Sequence, residues 1–170
     1  MIEVQAPNKF KVKMAHWTVF LAGSIEMGAA VKWQNEAVEQ LKPYNDELVL
    51  FNPRRDDWDS SWVQSIDNPQ FAEQVNWEIE HITKSDIVFF YFAGDTKSPI
   101  TLMELGIIAG MHMRYATSDV IVVCEPNFWR KGNVDILCDT INVPLYDNLK
   151  DGLSHLENYL VTNGGFIPGA

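Results

Sequence analysis

At 170 residues, with 46% hydrophobic and 21% charged side chains, the chain is long enough for one domain with a full core and short for two. A formal net charge of −10 excludes the Lys/Arg stripe that a nucleic-acid backbone calls for, and a small-molecule ligand is expected instead. No apolar run approaches the roughly eighteen residues of a membrane span. The N-terminal stretch lacks a signal-peptide core, and Cys124 and Cys138 have no metal-ligand spacing, so reduced thiols in a cytoplasmic protein are expected.

Four short apolar runs, rich in Val, Ile and Phe and nearly continuous, predict buried strands at 17–23, 47–52, 86–92 and 119–126. A helix is predicted over 29–42, where Ala30, Val31, Ala37, Val38 and Leu41 recur at helical spacing ahead of Pro43. A second, over 69–85, sets Phe71, Val75, Ile79 and Ile82 on one stripe. A third, over 99–114, opens with Ser98 at the cap and Pro99 at the first helical position. A fifth short strand near 142–147 and a last helix through 149–161 complete the alternation. The pattern predicts a doubly wound α/β sandwich around a five-stranded, mostly parallel sheet. It forms one domain over 1–170, with its core at about 17–162 and both ends loosely held.

Ligands of such folds bind outside the carboxyl ends of the strands. That rule gathers Gly23-Ser24, the run NPRRDDWDSSW (52–62), AGDTKSP (93–99) and EPNFWRKGNVD (125–135) on one rim. GSIEMG after the first strand matches neither dinucleotide nor triphosphate fingerprints. Gly23 alone is explained by a tight turn, while Ser24 suits either a cap or a ligand hydroxyl. The four histidines are scattered, so neither a metal nor a cofactor is expected.

The acidic residues carry the chemistry. Asp56, Asp57 and Asp59 share a loop with Arg54, Arg55, Trp58 and Trp62; Asp86 opens the third strand, Asp95 follows it, and Glu104 lies in the next helix. Two carboxyls on one rim can divide the work of glycosyl transfer, one as nucleophile and one as proton carrier. Each has a plainer reading as a solvated charge, and spacing alone favours it for any one of them. Two tryptophans in one charged loop either pack inward or stack on a flat ligand.

Taken in order, VFLAGSIEMGAAVKWQ, NPRRDDWD, SDIVFFYFAGDTKSPITLMELG and FWRKGNVDILC resemble the nucleoside 2-deoxyribosyltransferase family, from about residue 17 to about 146. The resemblance implies a flavodoxin-like domain that breaks the N-glycosidic bond of a 2′-deoxynucleoside and serves nucleotide salvage. Glu104, in MELG, matches the family's nucleophile, which forms a covalent deoxyribosyl intermediate relieved by a second base. Asp86 matches an Asp that orients sugar and nucleophile. Asn133 matches an Asn lent by a neighbouring subunit, which implies a homo-oligomer. Phe20 stands where the family often has a Tyr near the sugar, and Ser98 where many members have the Asp that handles the leaving base. Base protonation then falls to Asp57 or Asp95, and Arg55, Asp57 and Trp58 are the expected base contacts, with Gly23 and Ser24 among the expected substrate-binding residues. A related branch, the 2′-deoxynucleoside 5′-monophosphate N-glycosidases, has Ser at the position of Ser98 but Arg at that of Glu26, where a negative charge repels phosphate. Hydrolysis by water in place of the second base is the alternative outcome.

Overall fold

The structure is a computed structural model that describes residues 1–25, 30–59, 61–115 and 118–169. Along the chain these residues form β1 (Ile2–Gln5), β2 (Trp17–Gly23), α1 (Trp33–Leu41), β3 (Leu48–Asn52), α2 (Pro69–Lys84) and β4 (Ile87–Phe92). Then follow α3 (Pro99–Tyr115), β5 (Asp119–Cys124), α4 (Lys131–Ile141), β6 (Leu145–Tyr146) and α5 (Leu149–Gly164). The strands make a six-stranded sheet in the order β1-β3-β2-β4-β5-β6, and every pairing is parallel.

Three elements depart from the sequence expectation. The sheet has six strands rather than five, because Ile2–Gln5 pairs in parallel with β3 at the edge. Four residues are too few for periodicity to mark a strand, and only the exposed edge of β3 recruits them. The segment 125–135, expected to be a loop, runs from Lys131 into the helix α4, which buries Val134, Cys138 and Ile141. Gly132 and polar neighbours mask its apolar spacing. α1 starts at Trp33 rather than near 29, and Glu26 and Ala29 lie outside the described residues.

The sheet separates two cores. On one face Phe20, Val88, Phe90 and Phe92 meet Trp77 and Ile82 of α2, Leu105 and Ile108 of α3, and Val134 and Cys138 of α4. On the other, Val19, Leu21, Ile87 and Phe89 meet Trp33, Ala37 and Leu41 of α1 and Leu153, Leu156 and Leu160 of α5. Each central strand alternates between two buried faces, which is why its sequence reads as an unbroken apolar run. α2 is rotated from its expected phase: Gln74, Trp77 and Ile82 are buried, whereas Ile79 is exposed. Among the described residues no helix is long and apolar enough to cross a membrane.

The chain runs from β2 outward to β3 and back to β4 on the other side of β2. The crevice at the carboxyl ends of β2 and β4 is therefore the topological switch point, where an open α/β sheet leaves room for a ligand.

Candidate functional site

Gly23 ends β2 because the strand must pass beneath a ring. A Cβ there would lie 2.6 Å from Trp33 Cζ2 and 2.6 Å from the Tyr91 carbonyl oxygen. The requirement is close approach rather than the tight turn expected from sequence. Ser24 follows, fully buried, and its hydroxyl lies 2.8 Å from Thr96 Oγ1 and 2.6 Å from Ser98 Oγ. The Ala93 N–H donates to Ser24 Oγ at 3.0 Å, which binds the β4–α3 loop to the end of β2. Ser98 sits in the left-handed region at φ 43°, uncommon for a side-chain-bearing residue. Its carbonyl accepts from the Leu102 N–H at 3.0 Å and so starts α3.

α3 carries Glu104 into a cavity of about 530 Å³ on this rim. That volume falls within the range of small-molecule sites, roughly 300–1,000 Å³. The cavity is walled by Gly23 and Ile25 after β2, Pro53, Arg54 and Arg55 after β3, Trp58 and Gln64 from the following loop, and facing side chains of α2 and α3. Glu104 is 9% exposed. Burial, with the charge of Glu78 added, pushes its carboxyl up to about 8. Glu78, from α2, lines the same cavity; desolvation pushes it up to about 7, against a hydrogen bond from Gln74 that holds it lower. Both carboxyls line one cavity, and burial raises each above the ordinary carboxylate range, so Glu104 keeps its proton near neutral pH.

The loop after β3 is organised by its two arginines. Arg54 is buried and gives its guanidinium to the carbonyls of Val31 (2.9 Å) and Ala30 (2.8 Å), fixing the approach to α1. Arg55 binds Asp57 with two hydrogen bonds, 2.6 and 2.8 Å, and lies 5.0 Å over the ring of Trp62. Trp58 packs edge-on to Trp62 at 5.1 Å and lines the cavity, and its indole N–H is buried without an acceptor. The tryptophans thus pack on each other and on Arg55.

Of the residues singled out in the sequence, Glu104, Gly23, Ser98, Arg55 and Trp58 line one cavity, and Ser24 supports it through Ser98. The others lie elsewhere. Asp86 stands at the amino end of β4, a strand length of about 20 Å from the carboxyl rim. There it accepts from the Thr18 N–H (2.9 Å) and hydroxyl (2.7 Å), beside a separate cavity lined by Phe10, His16 and His81. It staples two strands at the end of the sheet opposite the cavity that holds Glu104. Phe20 is fully buried against Trp77 in the core. Asp57 is exposed, and its bonds to Arg55 hold it below the usual carboxylate range, the wrong direction for a proton donor. Asp95 is exposed outside the cavity. Asn133 lies exposed in the first turn of α4, away from this chain's own cavity.

Glu78 and Gln74 are the residues the sequence reading passed over. They stand four apart on the inward face of α2, and polar side chains at that spacing inside a buried stripe were the available signal.

A crystal structure of a conserved protein from Enterococcus faecalis V583 superposes with a TM-score of 0.58 at 14% identity, covering 85% of this chain and 99% of that one. That likeness establishes the flavodoxin-like α/β fold. No curated protein matches the chain. The model of the family described as nucleoside 2-deoxyribosyltransferase like matches residues 16–128, which hold β2 to β5 and every wall of the cavity. The chain therefore belongs to the nucleoside 2-deoxyribosyltransferase-like family.

Proposed function

We propose that the protein cleaves the N-glycosidic bond of 2′-deoxynucleosides and transfers 2-deoxyribose to another nucleobase. The observation that carries this reading is that two carboxyls with raised proton affinity, Glu78 and Glu104, line one cavity at the switch point. Glu104, as carboxylate, attacks C1′ and forms a C1′–O bond. The C1′–N bond breaks, its electron pair stays with the base, and the proton held on Glu78 goes to that base. In the second half an incoming base attacks C1′, gives its proton to Glu78, and releases Glu104. In the ligand-free chain Glu104, pushed higher than Glu78, holds a proton more firmly, so the reactive form is the one in which the proton sits on Glu78 and Glu104 is the carboxylate. Glu78 thus takes the role that Asp57 or Asp95 was expected to fill. Trp58 and Arg55 supply the base end, and Ser98, backed by the hydroxyls of Ser24 and Thr96, the opposite end.

The decisive assay is chromatographic. Enzyme is incubated with one 2′-deoxynucleoside, with and without a different free base. A new deoxynucleoside formed only with the second base supports transfer. Base release at one rate in both reactions, with no new nucleoside, assigns hydrolysis. No release at all over hours, with thermal stabilisation by nucleosides, makes the protein a binder.

A second copy of the chain belongs to this reading. Ile100, Met103 and Ile107 line the cavity yet remain exposed, and the space over Gly106 and Gly110 on the same helix is open. For a chain of charge −10, a face of α3 without exposed carboxylates is where another copy meets least repulsion. Such a partner would cover the cavity mouth, and Asn133 is the residue proposed to enter a neighbouring site.

A further inference from the structure

Gln74 is 3% exposed, and its amide is held in one orientation. Its Nε2 donates to the Pro53 carbonyl at 2.9 Å and to Glu78 Oε1 at 2.9 Å. Its Oε1 accepts from Arg55 Nη1 at 3.5 Å, a long contact. A carbonyl can only accept and a guanidinium can only donate, so Pro53 and Arg55 fix which end of the amide faces which way, whatever the state of Glu78. An N–H therefore always points at Glu78 Oε1, and that oxygen must accept. The proton of a neutral Glu78 is left to Oε2.

We infer that Gln74 is a positioning residue that keeps the transferable proton of Glu78 on Oε2 and ties that carboxyl, through Pro53 and Arg55, to the loop over the base. The inference rests on the glycosyl-transfer reading above. The step is the one already balanced: Oε2 releases its proton to the leaving base as the C1′–N pair moves onto that base, and recovers it from the incoming one. Gln74 itself exchanges no proton. The charged groups that share the cavity with Glu78 are Glu104 from α3 and Arg54 and Arg55 after β3; Asp57 and Glu73 act on Arg55 in turn. Arg55 thereby links occupancy of the base end to the carboxyl that serves the base.

The hydrogen bond from Gln74 favours the ionised form of Glu78. In Gln74→Met, which keeps the packing and loses the amide, kcat should fall by about tenfold to a hundredfold, within what one proton-transfer group contributes. The alkaline limb of its pH profile should move to higher pH, with KM little changed. Gln74→Glu, which keeps the acceptor for Arg55 but cannot donate when ionised, should shift the limb the same way. In the unmodified protein the Gln74 side-chain amide proton signals should titrate together with Glu78. A folded variant with an unchanged pH profile, or amide signals that stay fixed between pH 5 and 9, overturns the inference. Loss of activity in Glu104→Gln alongside either result leaves the glycosyl-transfer reading standing. Retained activity in Glu104→Gln overturns that reading, whatever Gln74 does.

Discussion

Thr18 and Asp86 bind each other reciprocally across the amino ends of β2 and β4: the Thr18 hydroxyl donates to Asp86 Oδ2 at 2.7 Å and accepts from the Asp86 N–H at 2.9 Å. A carboxylate so engaged is a strand staple. Thr18→Val should lower stability by about 1–3 kcal/mol, the cost of leaving polar partners unmatched in a part-buried site. Turnover should be retained, because the staple is a strand length from the cavity. Urea unfolding beside the chromatographic assay checks both, and a large loss of kcat in a folded variant returns Asp86 to the chemistry.

Glu104→Gln should reduce transfer by about a thousandfold or more, since no other group at that position can trap C1′. Glu104→Gln is close to the shape of the protonated acid, so circular dichroism should be unchanged. Mass spectrometry after a rapid quench should detect a deoxyribosyl adduct on the native chain and none on the variant.

The same two carboxyls make stability depend on pH. Their folded values, about 7 and about 8, lie above the ordinary value of 4.5, so between about pH 4.5 and 8 the folded chain holds more protons than the unfolded one. The stabilisation associated with these protons is fully present below pH 4.5 and is lost as pH rises through 7 and 8. Glu104→Gln, which carries no charge, should therefore have a higher Tm than the native chain at pH 8–9, with the gap narrowing toward pH 5. A gap that does not change with pH would place Glu104 in a solvated setting.

Gly23→Ala should be costly despite its size. The added methyl meets the Trp33 ring and a backbone oxygen, both at 2.6 Å, and the oxygen belongs to a central strand. A loss of about 1–3 kcal/mol is expected, the usual cost of overpacking. Weaker nucleoside binding should accompany it, because Trp33 Nε1 also holds the Ser24 carbonyl at 3.1 Å. Denaturant midpoint and a binding titration test the two effects separately.

Ile107→Glu should keep the chain monomeric. A charge on the exposed face of α3 would be desolvated and repelled in an interface between copies, yet costs little in a free surface. Light scattering reads the mass, and identical masses for native and variant chains place any assembly on another face.

The layered α/β plan is legible in the amino-acid sequence. Strands such as IVFFYF, buried on both faces, can only be apolar throughout, and that run survives any choice of partner. The sequence also singled out Glu104 through the MELG context, which the structure places in the cavity lining, and it marked the rim loops that hold Arg55, Trp58 and Ser98. What it could not determine was which polar residues meet in space. Asp86 and Glu104 are near in sequence but occupy opposite ends of the crossover, because a strand lies between them. Glu78 is farther along the chain from Glu104 and yet lines the same cavity, because α2 and α3 lie side by side on one face of the sheet. The phase of α2 decided that meeting. Its inward face includes Gln74 and Glu78 at a cost in buried polarity that a hydrophobic pattern cannot announce, and only the packing of two helices over one strand end turns that cost into a site.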